Sequence, residues 1–199
     1  MDSVHRKEKR EEEQSDEEIL VLVPENKDFF GVLIRRYERR ILGYLRRING
    51  GTSEELEDMA QNIFLKAYVY LYSFRRGESF SNWLFGIAHN ECIDHWRRTK
   101  KHSGVISLEA SAELSAVLKS GENLSADAER KWDSEIVKKA IEELPFKYRE
   151  ILVLRFLEDR SYEDMARILK KPVSSVGTLV RRAKGLFKEL IEQKSDESR

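Results

Sequence analysis

The sequence predicts an all-α chain: two small helical domains joined by a flexible linker. Three observations point there. Charged residues make up 36% of the chain and there are only 3 prolines, a composition that favours helices over strands. Apolar residues recur at helical spacing in successive segments. Between those segments, residues 103 to 127 turn rich in Ser, Ala, Glu and Gly and lose their periodicity, which reads as a linker. At 199 residues the chain fits one large domain or two small ones. The divisions are a charged tail over 1–22, which reads as disordered, a first domain over 23–102, a linker over 103–130 and a second domain over 131–194.

The first helix spans 28–48, with Phe30, Leu33, Ile34, Tyr37, Ile41, Tyr44, Leu45 and Ile48 on one stripe. Asn49, Gly50 and Gly51 then break the chain. Thr52 or Ser53 can cap the next helix, over about 54–73, with Leu56, Met59, Ala60, Ile63, Phe64, Ala67 and Leu71 inward. A turn, FRRGESF, leads to a third helix that runs to about 101 and buries Phe80, Trp83, Leu84, Ile87 and Ala88. After the linker, Ile136, Val137, Ala140, Ile141 and Leu144 form a stripe ended by Pro145, which suits the start of the following helix. That helix carries Tyr148, Ile151, Leu152, Leu154 and Phe156. Ser161 caps a short helix with Tyr162, Met165, Ala166 and Leu169 inward. Lys170, Lys171 and Pro172 turn the chain, and Ser174 or Ser175 caps a last helix to about 192, packed through Val176, Val180, Ala183, Phe187 and Leu190.

Composition also excludes. The single cysteine, Cys92, rules out an internal disulfide framework and suits a reducing compartment. No apolar run approaches the roughly 18 residues of a membrane span, and the N-terminus lacks an apolar signal core. These point to a cytoplasmic protein without membrane insertion. His89, Cys92 and His95 tempt a metal reading. Each step of three turns a helix by about −60°, so the three fan out rather than converge on one ion. No metal, cofactor or catalytic residue is expected.

Net charge is +0, but its distribution is uneven: residues 170–188 hold six Lys/Arg and no acid. A short helix, a tight turn and a longer helix with a basic outer face fit a helix-turn-helix. Ser174, Ser175, Thr178, Arg181, Arg182 and Lys188 face outward there, hydroxyls for close approach to a backbone and arginines for phosphate or guanine. In the second helix Asp58, Gln61, Asn62 and Leu65 lie at i, i+3, i+4 and i+7 and share a face. An acid, two amides and an apolar residue suit a protein contact. In the third, Asn90, Asp94, Arg97 and Lys101 share a face beside Arg98, with hydrogen-bonding groups for bases and a basic end for phosphates. A repressor or activator using only the C-terminal helices is one rival reading. A nucleic-acid hydrolase centred on Asp94 and His95 is another.

LEDMAQNIFLKAY, SFSNWLFGIAHNECIDHWRR, AIEELPFKYREILVLRFLEDRSYEDMARIL and PVSSVGTLVRRAK together resemble the extracytoplasmic-function (ECF) sigma factors of bacterial RNA polymerase, over about residues 28–192. The resemblance implies region 2 in the first domain and region 4 in the second, no enzymatic activity, and core RNA polymerase and promoter DNA as partners. It assigns Asp58, Gln61, Asn62 and Leu65 to the clamp of the largest subunit. It assigns Arg76, Ser79, Phe80, Trp83, Asn90, Asp94, Arg97 and Arg98 to reading and opening the −10 element. Ser174, Ser175, Thr178, Arg181, Arg182 and Lys184 would read the −35 element, while the second domain docks on the polymerase flap. The linker, with Glu109, Glu113 and Glu122, would run through the RNA exit path. Most relatives have an anti-sigma factor, which would be able to hold the protein at the membrane. The start of the last helix departs from the family: Ser174, Ser175, Gly177 and Leu179 stand where relatives often carry GT and two cations, and Gly177 costs about 1 kcal/mol of helix propensity relative to Ala.

Overall fold

The structure is a computed structural model that describes residues 14–75, 77–99 and 134–197. Among these every regular element is helical: α1 (Asp16–Leu22), α2 (Asp28–Asn49), α3 (Ser53–Val69), a 3-10 turn (Leu71–Ser73), α4 (Phe80–Thr99), α5 (Ser134–Glu143), α6 (Phe146–Leu152), a wider π turn (Val153–Leu157), α7 (Tyr162–Leu169) and α8 (Val173–Glu197). The expected linker, 103–130, lies outside the described residues. No helix among the described residues is long and apolar enough to cross a membrane.

The first domain packs α2, α3 and α4 around Leu33, Ile41, Leu45, Ile63, Leu84 and Ala88, all buried. α2 stops because Gly50 and Gly51 take positive φ of 61° and 102°, which a Cβ would strain. Thr52 then starts α3 with a capping box, its hydroxyl taking the Glu55 N–H while the Glu55 carboxylate takes its own.

Part of the segment assigned to the tail is ordered. Ser15 caps α1 with a second capping box, through Glu18. Ile19 and Val23 are buried on the first domain, and Asp16 accepts from Arg36 at 2.6 Å and from the Tyr37 hydroxyl. Burial, with the Asp16 carboxylate added, pushes the Tyr37 phenol up to about 12.

In the second domain Pro145 precedes α6, Ser161 caps α7 by accepting from the Asp164 N–H, and Lys170 ends α7 in the left-handed conformation. Two expectations are corrected. α8 begins at Val173, directly after Pro172, so Ser174 and Ser175 lie in its first turn and neither is the cap. Tyr162 is exposed rather than inward, at the rim beside Gly177.

The domains share one continuous core. α4 lies between α2 and α3 on one side and α6 and α7 on the other; an added Cβ on Gly86 would meet the Ile168 carbonyl at 3.7 Å. Cys92 is fully buried at this junction and accepts from Asn49 Nδ2 at 3.2 Å. Burial pushes its thiol well above the ordinary range, and the Glu150 charge adds to the shift. Cys92 should therefore react with a thiol probe at pH 8 on the order of 100-fold more slowly in the native chain than in denaturant. Equal rates would place the thiol at the surface.

Candidate polymerase and promoter surfaces

Three separate surfaces carry the residues singled out in the sequence. On α3, Asp58, Gln61, Asn62 and Leu65 are all exposed, and Leu65 keeps 61% of its surface in water. The strip runs on through Val69 and Tyr72, which are 53% and 85% exposed. Val69 was not singled out in the sequence, although i, i+4 spacing from Leu65 carries it to the same face. Beside the strip, α2 and α3 enclose an open groove of about 480 Å³, lined by Phe30, Ile34, Leu42, Phe64 and Tyr68 among others. Exposed apolar side chains next to such a groove, edged by Asp58, Glu57 and Gln61, have the make-up common to protein-contact surfaces.

The second surface belongs to α4 and the turn before it. Arg76 lies outside the described residues. Ser79 Oγ accepts from the Asn82 N–H at 3.3 Å, which holds the start of α4. Phe80 is only 1% exposed and packs edge-on against Tyr37 and Phe74. Trp83 is half-buried in the same aromatic cluster. Phe80 therefore shapes the base of the turn and offers no accessible ring. Further along, Asn90, Asp94, Arg97 and Arg98 are exposed together. Asp94 holds Arg97 at 3.6 Å and Glu91 holds Arg98 at 3.3 Å. The Arg97–Asp94 pair is exposed and weak, so a phosphate can replace that carboxylate, whereas Glu91 is buried and also takes Lys66.

The third surface is the start of α8. Ser174, Ser175, Thr178 and Arg182 line a shallow cleft with Lys170 and Lys171. Arg181 and Arg182 are exposed, and Thr178 donates to the Ser174 carbonyl at 3.1 Å. The structure sets Lys184 apart from the set: it is half-buried, with Nζ 5.1 Å from the centre of the Phe156 ring. Its type and charge matched the outward residues, and only the packing of α8 on the π turn separates it.

His89, Cys92 and His95 do not converge, and among the described residues no cluster of His, Cys, Asp or Glu could hold a metal ion. His89 turns instead into the junction, with Nδ1 2.6 Å from Glu150 Oε1.

Comparison with known proteins agrees with this layout. A model of sigma-70 region 2 matches residues 33–102, and one of sigma-70 region 4 matches residues 134–186. The ECF RNA polymerase sigma factor SigW of Bacillus subtilis (strain 168) is 32% identical over 164 residues, 80% of this chain and 87% of SigW. The ECF RNA polymerase sigma-E factor of Escherichia coli (strain K12) is 33% identical over 162 residues, 78% of this chain and 82% of that protein. Among solved structures, that of CnrH in complex with the cytosolic domain of CnrY has the same fold, with a TM-score of 0.65 and 22% identity over 90% of this chain and 99% of that one. With both regions matched in order, and relatives aligned over most of both chains, the chain belongs to the sigma-70 family as an ECF sigma factor, an alternative factor that directs core RNA polymerase in promoter-specific initiation.

Proposed function

We propose that the three surfaces divide the work of initiation. The α3 strip of Asp58, Gln61, Asn62 and Leu65 grips the clamp of the largest polymerase subunit, and the second domain docks on the flap. The turn around Arg76 and Ser79, with Trp83 and the Asn90, Asp94, Arg97 and Arg98 face of α4, reads and opens the −10 element. Extruding a base costs a few kcal/mol, which contacts in that turn must offset. Ser174, Ser175, Thr178, Arg181 and Arg182 read the −35 element, the hydroxyls near the backbone and the arginines on phosphates or guanines. The factor catalyses no reaction itself. It works in the bacterial cytoplasm, and an anti-sigma factor binds it and is able to hold it at the membrane.

The observation that carries this reading is the α3 strip, where Leu65, Val69 and Tyr72 stay in water on one face with Asp58, Gln61 and Asn62. Asp58→Ala should weaken binding to core polymerase about tenfold without lowering thermal stability. Unchanged affinity in a pull-down titration would remove the strip from the interface. On the DNA side, Arg181→Ala should weaken promoter binding and lower the slope of log affinity against log salt by about 1. An unchanged slope would mean that this arginine touches no phosphate.

A further inference from the structure

α2 carries more charge than its packing uses. Between positions 35 and 47 it holds six arginines and one acid, Glu38. At about 100° per residue the arginines fall in two rows along the helix. Arg36, Arg40 and Arg47 make one row, and each has a structural partner. Arg36 donates to Asp16 at 2.6 Å and to the Gln14 carbonyl at 2.8 Å. Arg40 and Arg47 meet buried Glu158 at 3.3 and 3.4 Å. Arg35, Arg39 and Arg46 make the other row, within about 40° of one another, and all three are exposed. Among the described residues neither Arg39 nor Arg46 has an ion pair. A helix face that serves only solubility alternates the sign of its charges, whereas a block of one sign marks an interaction surface.

The ground between the rows is open. Arg39, Arg40, Arg46 and Arg47 line a polar groove of about 630 Å³ with Gly43 on α2 and Glu158 across from it, and Glu38 stands at its rim. Glu158 is already held by Arg40 and Arg47, which leaves Arg39 and Arg46 facing little opposing charge. An added Cβ on Gly43 would come within 3.0 Å of the Arg47 guanidinium. Glycine is a poor helix former, but here it lets Arg47 lie close along the helix. It also leaves no side chain between Arg39 and Arg46.

We propose that the row of Arg35, Arg39 and Arg46 is a contact for the phosphate backbone of duplex DNA, on a different helix from the −10 and −35 faces. The row is about 16 Å long at 1.5 Å per residue. A strand running beside it passes about five phosphates at 3.4 Å of rise each. Guanidinium suits that partner because it offers a phosphate two parallel hydrogen bonds. An acidic protein is the less fitting occupant. Protein contacts centre on apolar and aromatic anchors, as Leu65, Val69 and Tyr72 provide on α3, whereas Leu42, between Arg39 and Arg46, is half-buried. Contacts of this kind add affinity and fix orientation without reading bases. The contact does not depend on the sigma assignment, because it is measurable on the free chain.

The test is a titration of the full chain with a fluorescent duplex of random sequence across a series of salt concentrations. Arg39→Ala combined with Arg46→Ala should weaken binding and lower the slope of log affinity against log salt by about 1.8, since each lost phosphate contact removes about 0.9. Arg39→Lys with Arg46→Lys keeps both charges and should keep the wild-type slope. Both pairs should melt with the wild type, because the two side chains are exposed and unpaired. An unchanged slope in the alanine pair overturns the proposal. Weakened binding to core polymerase with the DNA slope unchanged also overturns it, and would make the row a protein contact. Neither result touches the sigma assignment, which rests on other surfaces.

Discussion

Leu65→Glu should reduce the affinity for core RNA polymerase by at least about 100-fold, close to 3 kcal/mol. The magnitude has two sources. An apolar anchor at the centre of a protein contact is worth about 2 kcal/mol or more when lost. A carboxylate in its place adds the cost of removing an unpaired charge from water. The fold should not respond, because Leu65 is 61% exposed in the free chain and sits in the interior of a well-capped helix where Glu is equally at home. The measurement is a titration of labelled polymerase, with thermal melting as the control. A loss of less than threefold would show that the α3 strip does not meet polymerase.

The second large effect is on stability. Arg149 is 5% exposed, and its guanidinium donates to the carbonyls of Ile48 at 2.9 Å, Glu142 at 2.8 Å and Leu144 at 3.2 Å. One side chain thus satisfies the ends of α2 and α5 together. Burial lowers its pKa from the usual arginine range. Arg149→Ala strands three carbonyls in a dry cavity. Each unsatisfied buried group costs about 1–3 kcal/mol, so the variant should lose about 3 kcal/mol or more in urea unfolding. For a chain of this size the melting temperature should fall by roughly 6–12 °C. A loss below about 0.5 kcal/mol would mean that water already serves those carbonyls.

The caps and the main stripes were legible in the sequence because they are local. Thr52 and Glu55 form a capping box that three residues of spacing announce, and Ser161 precedes its helix as a cap should. The same signal was present at Ser15 and Glu18, yet the surrounding acids made the segment read as a solvated tail. What orders it is tertiary: Ile19 is covered, and Arg36 and Tyr37 receive Asp16. α4 shows the larger limit. A helical stripe supposes one wet face and one dry face, which picked out Phe80, Leu84 and Ala88 correctly. Phe85, Asn82 and His89 are buried as well, because the second domain covers the face that an isolated helix would leave in water, while Glu91 on the other side is buried beside Lys66 of α3. Periodicity within one helix holds no trace of a partner more than 60 positions away. Charges inside the run YREILVLRFLEDR were the available signal: Arg149, Glu150, Glu158 and Arg160 interrupt an otherwise apolar segment and are buried against the other domain or its ends.

The exposed candidate residues fared according to geometry. Asp58, Gln61, Asn62 and Leu65 share a face in the structure as their spacing requires. Lys184 was grouped with Arg181 and Arg182 through the family resemblance, and its place over Phe156 depends on the π turn, a feature with no local sequence rule behind it.

The most direct measurement is transcription in vitro from a library of genomic fragments, with core RNA polymerase in the presence and absence of this protein. The sigma assignment predicts new, defined start sites that appear only with the protein, each preceded by two shared sequence elements near −35 and −10. Intact DNA binding with no new start sites would contradict it, and would leave the chain as a DNA-binding protein on a sigma-factor fold.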